Sequence, residues 1–236
     1  MRPSPSTPPS VVIEMSDVAV VREERTILAG ITVALRERRV AVVGANGSGK
    51  STFLRLCNGL IVPDRGRVRV DGIDTRERPD AVRRIAAFAF QNPENQLLMP
   101  TVAEDVALAA PRQTEPGAID ALLRELRIEH LRDRLCSTLS GGEKQLVAFA
   151  GILAAQPRVV LVDEVTTMLD LVNTIVVRHV LHAIPQTIVM TTHDLELAAA
   201  CERVIYLRDG QIAADGEPRE VLARYRADTE SEAFAR

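Results

Sequence analysis

Short β-branched runs separated by charged turns open the chain, and apolar runs alternate with helix-period stretches through its second half. Between residues 11 and 43 the runs VVIEM, VAVV and ITVAL predict antiparallel strands, closing with a buried strand, RRVAVV, before Gly44. Phe53, Leu54, Leu56 and Leu60 are spaced for a helix from Ser51 to Leu60. GRVRVDGID, turning at Asp71-Gly72, predicts a further strand pair, and IAAFAF one more strand. The period then changes. Thr101-Val-Ala-Glu104 behind Pro100 is a capping box that starts a helix over about 102–110. A polar loop around PRQTEPG leads to a second helix from Ala118 to about Leu126.

After Leu139 the pattern is helix 142–155, strand RVVLVDE, helix 170–183, strand TIVMTTH, helix 194–200 and strand RVIYL. Asp209-Gly210 then turns into a last short strand. Strands alternating with helices imply an α/β fold with a mostly parallel sheet covered on both faces. The organisation is therefore one domain over 11–226, with an antiparallel β portion early and a helical subdomain over about 92–155. MRPSPSTPPS reads as a disordered leader over 1–10, and residues 227–236 as a loose tail.

Composition narrows the choice of function. A chain of 236 residues, 46% hydrophobic and 26% charged, is long enough for a sizeable core. A net charge of −3, only 3% aromatics and no Trp argue against a nucleic-acid partner. Cys57, Cys136 and Cys201 form no C-x-x-C pair and read as reduced thiols of a cytoplasmic protein. No apolar run reaches the ~18 residues of a membrane span, so any role at a membrane needs a spanning partner.

Candidate chemistry gathers at strand ends. Gly44-Ala45-Asn46-Gly47-Ser48-Gly49-Lys50-Ser51 matches G-x-x-x-x-G-K-[ST] between a predicted strand and a predicted helix. Such a loop opens backbone N–H groups around phosphates, its Lys reaches the β- and γ-phosphates, and its Ser hydroxyl ligates Mg²⁺. Asp163 and Glu164 end the apolar strand VVLVD, where ligands bind in parallel sheets. Asp163 is expected to hold Mg²⁺. Glu164, turned elsewhere by the strand's side-chain alternation, is expected to orient or activate water. His193 ends TIVMTTH on the same sheet edge and can donate to a γ-phosphate. Gln91 ends IAAFAF, where its amide can reach Mg²⁺ or the attacking water. Far from the P-loop, LSGGEKQ places Ser140, Gly141, Gly142 and Glu143 at a helix start. Ser140-Gly-Gly-Glu143 reads both as a capping box and as a second phosphate-binding helix N-terminus.

The order P-loop, Gln91, LSGGEKQ, VVLVDE, Leu169-Asp170 and His193 resembles the ATP-binding subunits of ABC transporters, from about residue 12 to 226. The resemblance implies a P-loop NTPase of RecA-like fold that binds ATP and Mg²⁺ and hydrolyses ATP. It makes residues 44–52, through Thr52, the Walker A motif and Gln91 the Q-loop. Ser140 to Glu143 become the signature, Asp163 and Glu164 Walker B, Asp170 the D-loop and His193 the switch. It also implies a head-to-tail pair, homodimeric or with a close paralogue, in which each signature caps the ATP held by the other chain.

QNPENQLLMPTVAEDVA is similar to the corresponding segment of energy-coupling-factor importers of vitamins and transition-metal ions. The stretches RERRVAVVGANGSGKST, VDGIDT, LDLVN, PQT and AADGEP resemble the ATPase subunit of biotin importers. The expected partners are a membrane coupling subunit and a substrate-binding membrane subunit, with the chain at the cytoplasmic face. Importers of cobalt, nickel or another vitamin, and a soluble non-transport ABC ATPase, are the alternatives. The chain departs from the family in three places. Val165 follows the Walker B glutamate in place of the usual Pro, and Leu146 replaces a basic residue after the signature. Val20 to Arg22 lack the usual adenine-stacking aromatic, which leaves either Arg22 stacking through its guanidinium or weak recognition of the base.

Overall fold

A computed structural model describes residues 12–167 and 169–234, so the expected leader over 1–10 lies outside the described residues. The strands form two sheets. In the smaller, β1 (Ile13–Arg22) pairs antiparallel with β2 (Arg25–Leu35) and with β4 (Arg65–Val70), which pairs with β5 (Ile73–Asp74). The larger sheet has the order β10 (Gln211–Gly216), β9 (Arg203–Arg208), β3 (Arg39–Val43), β8 (Thr187–Thr191), β7 (Val159–Asp163), β6 (Ala86–Ala89). All its pairings are parallel except that of β10.

Alternation along the central strands divides the interior into two cores. Val40 and Val42 of β3, with Val159 and Leu161 of β7, join a core that also holds Phe53 and Leu54 of α1 (Lys50–Cys57) and the inner face of β1 and β2. Ala41, Val43, Val160 and Val162 point the other way, into a core shared with the helices of the opposite layer. Both faces are covered, so these strands read as unbroken apolar runs rather than as alternating ones. Burying one such Leu or Val contributes about 1.5–3 kcal/mol.

Three expectations are corrected. β3 does not close the antiparallel set: it pairs in parallel with β8 and β9 at the centre of the larger sheet. IAAFAF is not all strand, because α2 (Pro79–Ile85), with Pro79 in its first turn, takes up Ile85 and leaves β6 only Ala86–Ala89. Residues 227–234 are not a loose tail but the last part of α8 (Pro218–Phe234). Val221 and Leu222 anchor that helix in the core, and the Tyr225 ring lies 5.0 Å from that of Tyr206. Arg208 reaches Asp228 at 3.1 Å and Glu232 at 2.8 Å, extending the contact past residue 226.

Three helices follow the first β segments of the larger sheet. α3 (Val102–Ala109) carries the complete Thr101–Glu104 capping box, and α4 (Ala118–Glu125) follows. Both pack on α5 (Gly141–Ala154), most of whose side chains are buried. Buried Asp105 fixes the loop before α3, its Oδ1 accepting the N–H groups of Leu98 at 2.6 Å and Met99 at 2.9 Å. α6 (Leu171–Ala183) and α7 (Leu195–Ala199) complete the layer.

Candidate ATP-hydrolysis site

The carboxyl ends of β3, β7 and β8 lie side by side, and each leads into one predicted chemical group. After β3 the loop 44–49 enters α1. Glycine is obligatory at its two ends, where φ is 152° at Gly44 and 102° at Gly49. A Cβ at 44 would overlap the Leu207 carbonyl oxygen, and one at 49 would lie 2.6 Å from Leu28 Cδ2. Ala45, Asn46 and Gly47 form the exposed tip, whereas Ser48 is buried with an unpartnered Oγ. Ser51 and Thr52 stand half-buried in the first turn of α1. This cradle of N–H groups at a helix start, with an unsatisfied hydroxyl inside it, fits a bound polyphosphate.

Lys50 folds back under its own loop. Its Nζ donates to Gly44 O at 3.0 Å and Ala45 O at 3.1 Å, and lies 3.3 Å from Glu164 Oε1. His193 Nε2 is 3.0 Å from the same Glu164 oxygen. Glu164 therefore joins the Walker A lysine to the residue after β8. The expected cause of its orientation is corrected: the strand ends at Asp163, and Glu164 stands in left-handed backbone with φ 50°. Its N–H is held by Thr191 O at 3.2 Å and Thr191 Oγ1 at 3.1 Å, so the neighbouring strand, not the pleat, sets its direction.

Asp163 is buried beside Ser51, whose Oγ donates to Asp163 Oδ1 at 2.9 Å. Thr191 Oγ1 donates to the same oxygen at 2.8 Å, and Arg55 lies 3.9 Å from Oδ2. One hydroxyl and one carboxylate form an oxygen donor set suited to Mg²⁺, which takes few protein ligands and fills its shell with water and phosphate. Among the described residues no cluster of three His, Cys, Asp or Glu side chains offers a closed metal cage.

Gln91 is placed differently. It is exposed and makes no hydrogen bond to Ser51, Asp163 or Glu164 among the described residues. It lines a cleft of about 470 Å³ with Asn92, Glu94, Gly141, Lys144 and Gln145. Glu94 pairs with Lys144, which ties the segment after Gln91 to the start of α5.

LSGGEKQ builds that start. Ser140 caps α5: its Oγ accepts Glu143 N–H at 3.3 Å, and Glu143 Oε2 accepts Ser140 N–H at 2.7 Å. The Ser140 N–H holds the Glu143 carboxyl below its ordinary range. No hydrogen bond among the described residues joins Ser140–Glu143 to Lys50, Asp163, Glu164 or His193. Asp170 caps α6, accepting Asn173 N–H at 2.8 Å. Arg22 is engaged with Asp64 at 3.1 Å, and its Nη1 also donates to Val21 O at 2.6 Å.

Two contributors escaped the sequence reading. Thr191 touches both Walker B carboxylate positions, and Arg55 faces Asp163 from α1. Thr191 had a signal, being a polar residue that closes the apolar run Ile188–Met190. Arg55 had none.

Fold and site together are those of a P-loop nucleotide hydrolase. The ABC transporter family profile matches residues 28–167. The biotin transport ATP-binding protein of Rhizobium etli is 39% identical over 91% of this chain and 97% of its own length. An energy-coupling factor transporter ATP-binding protein of Bacillus subtilis is 38% identical over 84% of this chain and 75% of its own. Among solved structures, CbiO1 from Clostridium perfringens, part of an ABC transporter complex, superposes with TM-score 0.79 at 29% identity, covering 91% of each chain. The chain belongs to the ABC transporter family, as an ATP-hydrolysing subunit of the energy-coupling-factor type.

Proposed function

We propose that this ATPase powers an importer that takes up biotin, working as one of two ATPase subunits at the cytoplasmic face of a membrane. The observation that carries the ATPase half is the chain of contacts Lys50–Glu164–His193 beside the Ser51–Asp163 pair. In it, Lys50 and the loop 44–49 bind the phosphates of ATP. Ser51 and Asp163 hold Mg²⁺, which when bound neutralises charge on the β- and γ-phosphates. Glu164 is the group that orients and deprotonates the attacking water, giving ADP and phosphate. His193, within hydrogen-bond distance of Glu164, steadies that carboxylate and faces the γ-phosphate.

Ser140–Glu143 share no hydrogen bond with this cluster among the described residues, and their helix start suits the ATP of a second ATPase subunit, homologous or identical. Gln91 and the segment 92–105 carry the signal to a membrane coupling subunit. That role is supported by the Glu94–Lys144 pair, which ties the segment to the signature helix, and by Asp105, which fixes its far end. No helix among the described residues is long and apolar enough to cross a membrane, so spans come from the coupling and substrate-binding subunits. Biotin is preferred because the relative from Rhizobium etli bears that name and matches over 97% of its length.

The test is uptake of labelled biotin in cells lacking this chain. The wild-type chain is expected to restore uptake, and Glu164→Gln to fail while reaching the same level in the membrane fraction. Biotin uptake that is unaffected by loss of the chain, with cobalt, nickel or another vitamin affected instead, overturns the substrate.

A further inference from the structure

The two signature glycines differ. A Cβ at Gly141 would meet no atom within 4 Å. A Cβ at Gly142 would overlap Cγ and Nδ2 of Asn173 and lie 2.5 Å from its Oδ1. Gly141 is exposed and Gly142 buried. The first glycine therefore leaves open the outer face of the helix start, and the second is filled from within by a side chain of the same subunit. Asn173 is half-buried in the first turn of α6, and its own N–H is held by the Asp170 carboxylate at 2.8 Å. One residue thus touches the signature helix with its side chain and the capping aspartate of α6 with its backbone.

We propose that Asn173 is a positioning residue for ATP turnover: its carboxamide, seated on Gly142, locks Ser140–Glu143 to Asp170 so that both meet the second subunit as one rigid unit. The absence of a Cβ at 142 is what makes the seat. A second helical residue ties the same helix to the switch: Arg178 Nε donates to Asp194 Oδ2 at 2.8 Å, directly after His193. α6 is therefore braced at one end to the signature and farther along to the His193 loop. The inference rests on the reading that Ser140–Glu143 act on ATP held by a second subunit.

The experiment is a double-mutant cycle on the full chain, with Asn173→Ala, Gly142→Ala and their combination. Asn173→Ala keeps the N–H bonded to Asp170 and removes only the seated atoms. It is expected to lower kcat about fivefold and leave the ATP affinity of the isolated subunit unchanged. In the Gly142→Ala background, where the seat is already filled, Asn173→Ala is expected to cost less than about twofold more. A wild-type kcat for Asn173→Ala overturns the proposal, as do losses that multiply in the double variant. If Gly142→Ala does not fold, the single variant still decides through its kcat and its unchanged affinity. Ser140→Ala separates the two readings. Full turnover by that variant removes the signature's role itself, whereas its loss alongside a null Asn173→Ala removes only the lock.

Discussion

Asp163 and Glu164 are neighbours in sequence, yet one side chain is buried on Ser51 and Thr191 and the other bridges Lys50 and His193. The last residue of a strand keeps the pleat, and the first residue beyond it does not. A φ of 50° costs a glutamate about 1 kcal/mol or more, and here two bonds from Glu164 N to Thr191 hold it there. Thr191 is consequently the residue on which the geometry of both carboxylates depends. Thr191→Val keeps the shape and deletes the hydroxyl shared by Asp163 and the Glu164 N–H. Leaving those buried groups short of a partner is expected to cost about 1–3 kcal/mol, read as a lower denaturation midpoint. The same variant is expected to need more Mg²⁺ for half-maximal ATP hydrolysis. An unchanged Mg²⁺ requirement separates Thr191 from the metal site. The three cysteines carry no such role: all are buried, and burial pushes the Cys201 thiol up to about 12.

At the scale of elements, most of the sequence pattern was legible. The capping boxes at Thr101 and Ser140 formed with both reciprocal bonds, because S/T-x-x-E is a local device that needs no tertiary help. α2 and the end of α8 were not legible. α2 is seven residues long with only Val82 buried, so it has almost no apolar stripe to read. Beyond Leu222 no residue of α8 is buried, and Asp228 and Glu232 are held by Arg208 at the surface. Surface ion pairs are worth little. Deleting residues 227–236 is therefore expected to lower the melting temperature by no more than about 4 °C and to leave ATP hydrolysis intact. A larger loss, measured by thermal unfolding and phosphate release, means the last turns of α8 carry a contact outside this chain.

At the scale of the molecule, one chain holds a P-loop cluster and a signature helix start that share no hydrogen bond among the described residues. The proposed second ATPase subunit would complete such a site, with ATP between the two. Glu164→Gln keeps the shape of the side chain and removes the carboxylate charge that faces Lys50 and His193, proposed above to activate water. It is expected to slow hydrolysis about 10²–10³-fold and to retain ATP binding. With ATP trapped, the variant is expected to elute at twice the monomer mass in size-exclusion chromatography, and at the monomer mass without nucleotide. A variant that binds ATP and stays monomeric argues against pairing with a second copy of this chain and leaves a paralogue as the partner.

The sequence by itself determined the chemical inventory: a phosphate loop, two carboxylates and a histidine at strand ends, a second helix start, and a mostly parallel α/β frame. These are local facts, fixed by glycine backbone freedom, capping and hydrophobic period. Tertiary structure decided which of them meet. It put β8 beside both β3 and β7, so that Thr191 and His193 reach residues about 30 positions earlier in the chain. It turned Glu164 off its strand, left Gln91 facing the signature helix, and filled the seat at Gly142 with Asn173. Such contacts depend on strand order and helix approach, and no spacing along the chain encodes either.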